Sequence, residues 1–269
     1  MARLKKTAKE YNLLKNFAGS GDYAYKASSF LHSWYQFNVD VSGGGTVPDL
    51  SGNGLHLVQH STSGLPAQST DSPVVGDRPP KNFNDQSSNF ATGKGLQSAA
   101  GTELSIQTAS ASGVSFSCWF KLADPSTTGS NLFSKGFGGN VVEYIASWNE
   151  SLGKLQFFIG NGADLVNMSI AQIDLPLNVR DKWNHVVITY DGTPGTGAGL
   201  NTAAAAGVVI YLNGKKAATT LVGTGAHNGL PVATSDPLTI AGGTGKSSIS
   251  ELARWNTVLD LSAAKALYN

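Results

Sequence analysis

The stretch Val114-Ser115-Phe116-Ser117-Cys118-Trp119-Phe120-Lys121 constrains this chain more than any other. Its apolar side chains fall on every second residue, the period of a β-strand with one face in a core. The same grammar recurs along the sequence. Residues 155–159 end at Gly160-Asn161-Gly162, residues 184–190 end at Asp191-Gly192, and residues 208–212 run into Asn213-Gly214. Asn-Gly is the preferred centre of a two-residue hairpin because both positions need positive φ, so residues 215–218 are expected to return antiparallel. Residues 34–39, 55–58, 238–241 and 249–255 read as further strands. Only the first residues and residues 262–268 read as helical, the latter with Asp260 placed to cap its start. Many short strands between glycine-rich turns predict an all-β antiparallel sandwich or jelly roll. No repeat of the length that would build a solenoid is visible.

Composition narrows the setting. Charged residues make up only 14% of the 269, while hydrophobic residues reach 41% and there are 32 glycines. A core is therefore well supplied, and solubility rests on Ser, Thr, Asn and Gln. The single Cys118 excludes an internal disulfide and a cysteine-based zinc site. Within its apolar run it reads as a buried, inert thiol. Residues 61–89, rich in Ser, Pro, Asp and Asn and broken by Pro79-Pro80, read as a long surface loop lying on the sandwich.

The opening MARLKKTAKEYNLLKN differs from everything after it. Residues 1–30 carry Arg3, Lys5, Lys6, Lys9, Lys15 and Lys26 against Glu10 and Asp22, a net +4, which leaves about −3 on the remainder. The opening lacks the apolar stretch of a secretory signal, and no segment has the run of apolar residues that a membrane span requires. The expected organisation is a basic N-terminal arm, residues 1–30, followed by one sandwich domain, residues 31–269. Arg3, Lys5, Lys6 and Lys9 are the expected partner-binding residues of that arm. The competing reading is a frayed, solvated tail. Nucleic acid is a poor fit, because the opening MARLKKTAKEYNLLKN interleaves no aromatic but Tyr11 and the body carries no basic stripe.

The order of Asp49-Leu50-Ser51-Gly52-Asn53-Gly54, Phe116-Ser117-Cys118-Trp119-Phe120-Lys121 and Lys182-Trp183-Asn184-His185-Val186-Val187-Ile188-Thr189-Tyr190-Asp191-Gly192 resembles the concanavalin A-like, laminin G-like jelly rolls. The hairpin Val209-Ile210-Tyr211-Leu212-Asn213-Gly214-Lys215 and the closing Ile249-Ser250-Glu251-Leu252-Ala253-Arg254-Trp255-Asn256 extend the resemblance over about residues 31–268. It implies a concanavalin A-like sandwich with a short C-terminal helix. It leaves the function open, since lectins, adhesion modules and glycoside hydrolases share the fold.

Each function makes its own demand on the residues. A glycosidase needs two carboxylates about 5–10 Å apart, and the resemblance implies that hydrolases of this fold set them on one strand as Glu-x-Asp-x-x-Glu. No such string occurs. Glu143 and Glu150 are seven apart, on opposite faces if they share a strand, and Glu251 has no acidic neighbour. We expect no enzyme and no catalytic residue. His185, in an apolar strand, reads as a hydrogen-bonded core residue. The resemblance also implies a structural calcium held by the Asp before Ser-Gly-Asn and an acid in the last strand. Asp49 matches the first, whereas Ser250 stands at the second. Asp49 is therefore either a calcium ligand or the organiser of a tight turn, and no other cofactor is expected. For sugar binding, Trp148, Asn149, Asn161 and Asn228 are candidate rim residues, while Trp119, Trp183 and Trp255 read as core. No sugar site follows from sequence.

A lectin-like body with a basic arm and no export signal fits a phage virion protein: a capsid decoration, head-fibre or tail-associated subunit. Its expected partners are capsid or tail proteins of the same virion and host-surface or environmental glycans, and a homo-oligomer is compatible with this. The alternative is a free carbohydrate-binding module of a bacterial protein.

Overall fold

The computed structural model describes residues 30–41, 43–73, 86–106, 113–122, 130–136, 142–160, 168–175, 181–192, 205–224, 232–241 and 247–268. The arm, with Arg3, Lys5, Lys6 and Lys9, lies outside the described residues, as do Asn161 and Asn228.

Two antiparallel sheets form a sandwich. The first is built from β1 (Leu31–Gln36), β3 (Ala67–Ser69), β4 (Ser87–Phe90), β6 (Val114–Leu122), β11 (Asn184–Tyr190), β12 (Val208–Leu212), β13 (Lys215–Lys216) and β16 (Ser247–Trp255). Its order is β13-β12-β11-β6-β16-β4-β3, with β1 also paired to β16. The second is built from β2 (Val58–Gln59), β5 (Gly95–Gln97), β7 (Ser130–Lys135), β8 (Tyr144–Asn149), β9 (Lys154–Gly160), β10 (Met168–Asp174), β14 (Thr220–Thr224) and β15 (Leu238–Ala241). Its order is β14-β10-β9-β8-β7-β15-β5-β2. One helix, α1 (Leu261–Tyr268), follows β16.

The strands read at 114–120, 155–159, 184–190, 208–212, 238–241 and 249–255 are present, while the one expected at 34–39 lies at Leu31–Gln36 and of 55–58 only Val58 enters a strand. The hairpin between β12 and β13 turns at Asn213 (φ 50°) and Gly214 (φ 71°), the backbone that Asn-Gly was expected to adopt. Asp260 caps α1, accepting a hydrogen bond on Oδ1 from the Ala263 amide at 2.9 Å.

The stretch 61–89 departs from expectation. It is not a bare surface loop: β3 and the start of β4 lie within it, and β4 pairs Ser247–Ile249 of β16, extending the first sheet. Backbone bonds to a long central strand outweigh the weak strand preference of Ser87-Ser88-Asn89.

The core lies between the sheets. Phe116, Phe120, Ile188 and Leu252 of the first sheet pack with Phe133, Tyr144, Phe157 and Ile159 of the second. Phe116 lies 5.1 Å from Phe133 and 5.0 Å from Tyr144, ring centre to ring centre. Each such side chain, fully buried, contributes about 1.5–3 kcal/mol.

The first sheet also buries its outer face, which alternation alone does not predict. Trp34, Val187, Tyr211, Ala253 and Trp255 pack beneath Leu259, Ala263, Ala264 and Leu267. Trp119, read as core, is buried here rather than between the sheets, stacked on Tyr268 at 5.6 Å. β6 is consequently buried along both faces.

Candidate functional site

With the first sheet covered, the outer face of the second sheet is the broad surface left for a ligand. Residues that alternate with the core positions Tyr144, Ala146, Trp148, Leu155, Phe157 and Ile159 form this face. The register aligns Ile145 with Phe158, Phe158 with Ile170, and Ile170 with Val222. That row continues through Ser134, Thr239 and Gln97 to Val58 at the opposite edge. It therefore crosses the whole sheet. Ile145 and Ile170 are buried, Phe158 is half-buried and Val222 is exposed.

A polar row runs alongside. Asn131 faces Ser147, Ser147 faces Gln156, Gln156 faces Gln172, and Gln172 faces Thr220. The Gln156 amide donates to the Gln172 carbonyl at 2.8 Å, which orients both side chains. A third row adds Asn149, Lys154 and Asp174, with Lys154 Nζ 2.5 Å from Asp174. Gln156 is buried, so it serves to orient Gln172, and the groups a ligand can reach are the half-buried Ser147 and Gln172 and the exposed Thr220. These, beside the half-buried Phe158 ring, can bond sugar hydroxyls and stack on a ring's C–H face.

The rim residues expected from sequence are placed differently. Trp148 is buried in the core, its Nε1 donating to Glu150 at 2.8 Å. It points inward because Ala146 and Tyr144 on its strand do. The Asn149 carbonyl accepts from Ser151 Oγ (2.9 Å) and the Leu152 amide (3.2 Å), organising the turn after β8. Trp255 is buried under α1, as Trp119 is, while Trp183 is only half-buried and donates to Asp71 at 3.0 Å. Phe158, Gln156 and Gln172 were not legible as a site. In residues 155–159, Leu155, Phe157 and Ile159 alternate with Gln156 and the apolar Phe158, so the sequence hides that Phe158 looks outward.

The glutamates weighed as acids all have structural partners. Glu143 and Glu150 flank β8 at its two ends, roughly 23 Å apart at the rise of a strand. Glu143 accepts from Ser105 Oγ, the Ile106 amide (2.7 Å) and the Thr234 amide (3.3 Å). Burial pushes its carboxyl up, and these bonds and the nearby Lys135 oppose the rise. Lys135 donates to the Gly101 carbonyl (2.7 Å) and the Asp236 carbonyl. Together they clasp two loops at one end of the sandwich. Glu251 accepts from Trp34 Nε1 at 2.6 Å.

His185 is buried as expected. Its Nε2 lies 2.7 Å from Ser117 Oγ, and desolvation lowers its pKa to about 3. Both side chains are inaccessible, and among the described residues no acid bonds its Nδ1. The Cys118 thiol is likewise buried, and desolvation raises its pKa.

Asp49 is an organiser of its turn. Oδ1 accepts from the amides of Trp34 (3.0 Å) and Ser51 (3.0 Å), and Oδ2 from Ser51 Oγ (2.9 Å) and the Leu55 amide (3.1 Å). A carboxylate offers about four acceptor positions, and all four face donors. Ser250 sits at a bulge in β16, where the strand's partner changes from β4 to β1, and its hydroxyl donates to the Gln86 carbonyl at 2.9 Å. Neither residue presents a free oxygen, so the pair does not fit the six to eight oxygen ligands that calcium takes.

The fold and this face define a class: a two-sheet antiparallel sandwich with one outer face packed under a C-terminal helix and the other partly open. The match to a family model over residues 92–263, more than half of the chain, identifies it further. The chain belongs to the laminin G-type family of the concanavalin A-like lectin/glucanase superfamily. No curated protein matches it in sequence. Similar solved structures include the receptor-binding domain of a botulinum neurotoxin C/D mosaic serotype. It is 12% identical, with a TM-score of 0.58 over 88% of this chain and 50% of that one. The binding domain of Paraclostridial Mosquitocidal Protein 1 is 13% identical, with a TM-score of 0.57 over 89% and 52%. The binding domain of botulinum neurotoxin DC in complex with SialylT is 12% identical, with a TM-score of 0.57 over 90% and 51%. The chain thus spans about half the length of these structures. Among the described residues no helix is long and apolar enough to cross a membrane.

Proposed function

We propose that this chain is a non-catalytic, glycan-contacting display module carried on a phage virion, as a capsid decoration, head-fibre or tail-associated subunit. One observation carries the proposal: the outer face of the first sheet is closed by α1, whereas the second sheet offers Gln172, oriented by the buried Gln156, beside the half-buried Phe158. Membership of a superfamily that includes lectins supports it, as do the binding domains among the similar structures. Glu143, Glu150 and Glu251 are engaged in the fabric of the fold, which favours binding over hydrolysis. The basic residues 1–30 serve as the anchor to capsid or tail proteins.

A glycan array tests the face. The intact chain is expected to bind a defined set of oligosaccharides, and both Phe158→Ala and Gln172→Ala to abolish binding while the chain stays folded. Binding unchanged in both variants would remove this face as the site. Incubation with β-glucans, galactans and alginates is expected to release no reducing ends, and turnover lost in Glu143→Gln or Glu251→Gln would reverse the non-catalytic reading. Deleting residues 1–26 is expected to prevent incorporation into particles. Full occupancy by the truncated chain would mean that the arm is not the anchor, and no incorporation of the intact chain favours a free carbohydrate-binding module instead.

A further inference from the structure

A cleft of about 570 Å³ opens where the edges of the two sheets meet, away from the outer-face rows. Gln59 of β2, Ala67 of β3, Asn89 of β4 and Lys94 before β5 line it, with Leu65 and Pro66 as an apolar wall. Both sheets therefore contribute. A volume of this order falls within the range of small-molecule sites.

The local backbone is built to hold Lys94. Gly64 and Lys94 form a parallel bridge, with the Gly64 amide bonded to the Gly93 carbonyl (2.8 Å) and the Gly95 amide to the Gly64 carbonyl (3.0 Å). The Lys94 side chain lies across Gly64 so closely that a Cβ there would sit 2.4 Å from Nζ and 3.1 Å from Cδ. A side chain at position 64 would push the flexible end of Lys94 aside. The side chain is half-buried, and among the described residues its ammonium has no hydrogen-bond or ion-pair partner. Elsewhere Lys121 pairs with Asp71, Lys154 with Asp174, and Lys135 with two carbonyls. Lys94 instead lines the cleft.

The neighbouring groups suit a sugar. Gln59 donates from Nε2 to the Ser63 carbonyl at 2.8 Å, which leaves its carbonyl oxygen as an acceptor, and the Asn89 amide is exposed. A lone ammonium matches a monoanion. A phosphate is better held by several donors or an arginine fork, and no arginine lines this cleft. We infer that the cleft at Lys94 binds the carboxylate of an acidic sugar, a uronic or sialic acid unit, with Asn89 and Gln59 on its hydroxyls and Leu65 and Pro66 against its ring. This inference rests on the glycan-contacting reading and gives it a ligand class and a second subsite.

Amide chemical-shift mapping of the full chain tests it, with glucuronic acid, galacturonic acid and N-acetylneuraminic acid as probes and glucose and inorganic phosphate as controls. The acidic sugars are expected to shift Gly64, Asn89, Lys94 and Gly95. Affinity is expected to fall about tenfold or more in Lys94→Gln, to recover within a few-fold in Lys94→Arg, and to weaken as salt screens the pair. Both variants are expected to melt like the parent. Equal binding of glucose and glucuronic acid, or no effect of Lys94→Gln, overturns the carboxylate site. Tighter binding of phosphate than of glucuronic acid does the same. Neutral oligosaccharides that shift only Ser147, Gln156, Phe158 and Gln172, with acidic sugars adding nothing, overturn this inference and leave the outer-face reading standing. Shifts at the cleft alone overturn the outer-face reading and keep the cleft. Silence everywhere overturns both.

Discussion

The two outer faces of the sandwich share one backbone pattern and have opposite fates. On the first sheet, Trp34, Trp255 and Tyr211 are too large and apolar to face water, and α1 covers them. On the second, a polar row of Ser147, Gln156, Gln172 and Thr220 runs beside the apolar one, and buried Ile145, Gln156 and Ile170 stand among half-buried Phe158 and Gln172 and exposed Thr220 and Val222, so the face is partly open. A face becomes structural or available according to one row of side chains. Substitutions on the two should separate cleanly into losses of stability and losses of binding.

The largest expected effect is on the covered face. Ala264→Asp sets an unpaired charge where the side chain is fully buried and should cost about 3–5 kcal/mol, read from denaturant unfolding. A loss below about 1 kcal/mol would mean that α1 adds little to this sheet. Acid should act on the same face. His185 has its pKa lowered to about 3 in the folded chain, so its contribution to stability is complete above about pH 6.5 and is lost as pH falls toward 3. The slope approaches about 1.4 kcal/mol per pH unit within that window. His185→Gln should flatten the dependence of melting temperature on pH between 6.5 and 4.5, and an unchanged slope would assign it to other groups.

Asp49→Ala should cost about 2–3 kcal/mol, because it strands the buried Trp34 amide along with three other donors. EDTA should leave the melting temperature of the parent unchanged. A drop with EDTA that Asp49→Ala abolishes would restore calcium to this turn. The smallest effect belongs to the second sheet's outer face, where the exposed Thr220→Ala should change stability by less than about 0.5 kcal/mol. A larger loss would make the polar row part of the scaffold and blur the contrast.

The sequence announced the strands whose alternation is strong and whose turns are explicit. β6, β11 and β12, the Asn213-Gly214 turn and the Asp260 cap all follow from local chemistry. The strands β4, β10 and β14 did not announce themselves: Ser87-Ser88-Asn89-Phe90 and Thr220-Leu221-Val222-Gly223-Thr224 have weak local preference and form because a distant partner is present. The placement of α1 was equally hidden. Its sequence shows a helix, but only the assembled sheet shows that Ser117, Trp119 and His185 need covering. The candidate site suffered most. Trp148 was expected at a rim and lies in the core, while Phe158 lies outside, because strand register decides which of two apolar neighbours faces out.

The position of β16 carries a consequence for how the chain acquires its shape. This strand is central to the first sheet, pairing β6 along one edge and β4 and β1 along the other. It is nevertheless nearly the last element in the chain, and the bond from Trp34 to Glu251 closes a separation of 217 residues. Contacts this distant in sequence make for slow folding, since the loop entropy is lost before the pairing is gained. Until residues 247–255 leave the ribosome, β1 and β4 have no central strand to join. A nascent chain arrested before Ser247 would therefore expose unpaired strand edges, the kind of species that chaperones hold and that aggregates when they do not.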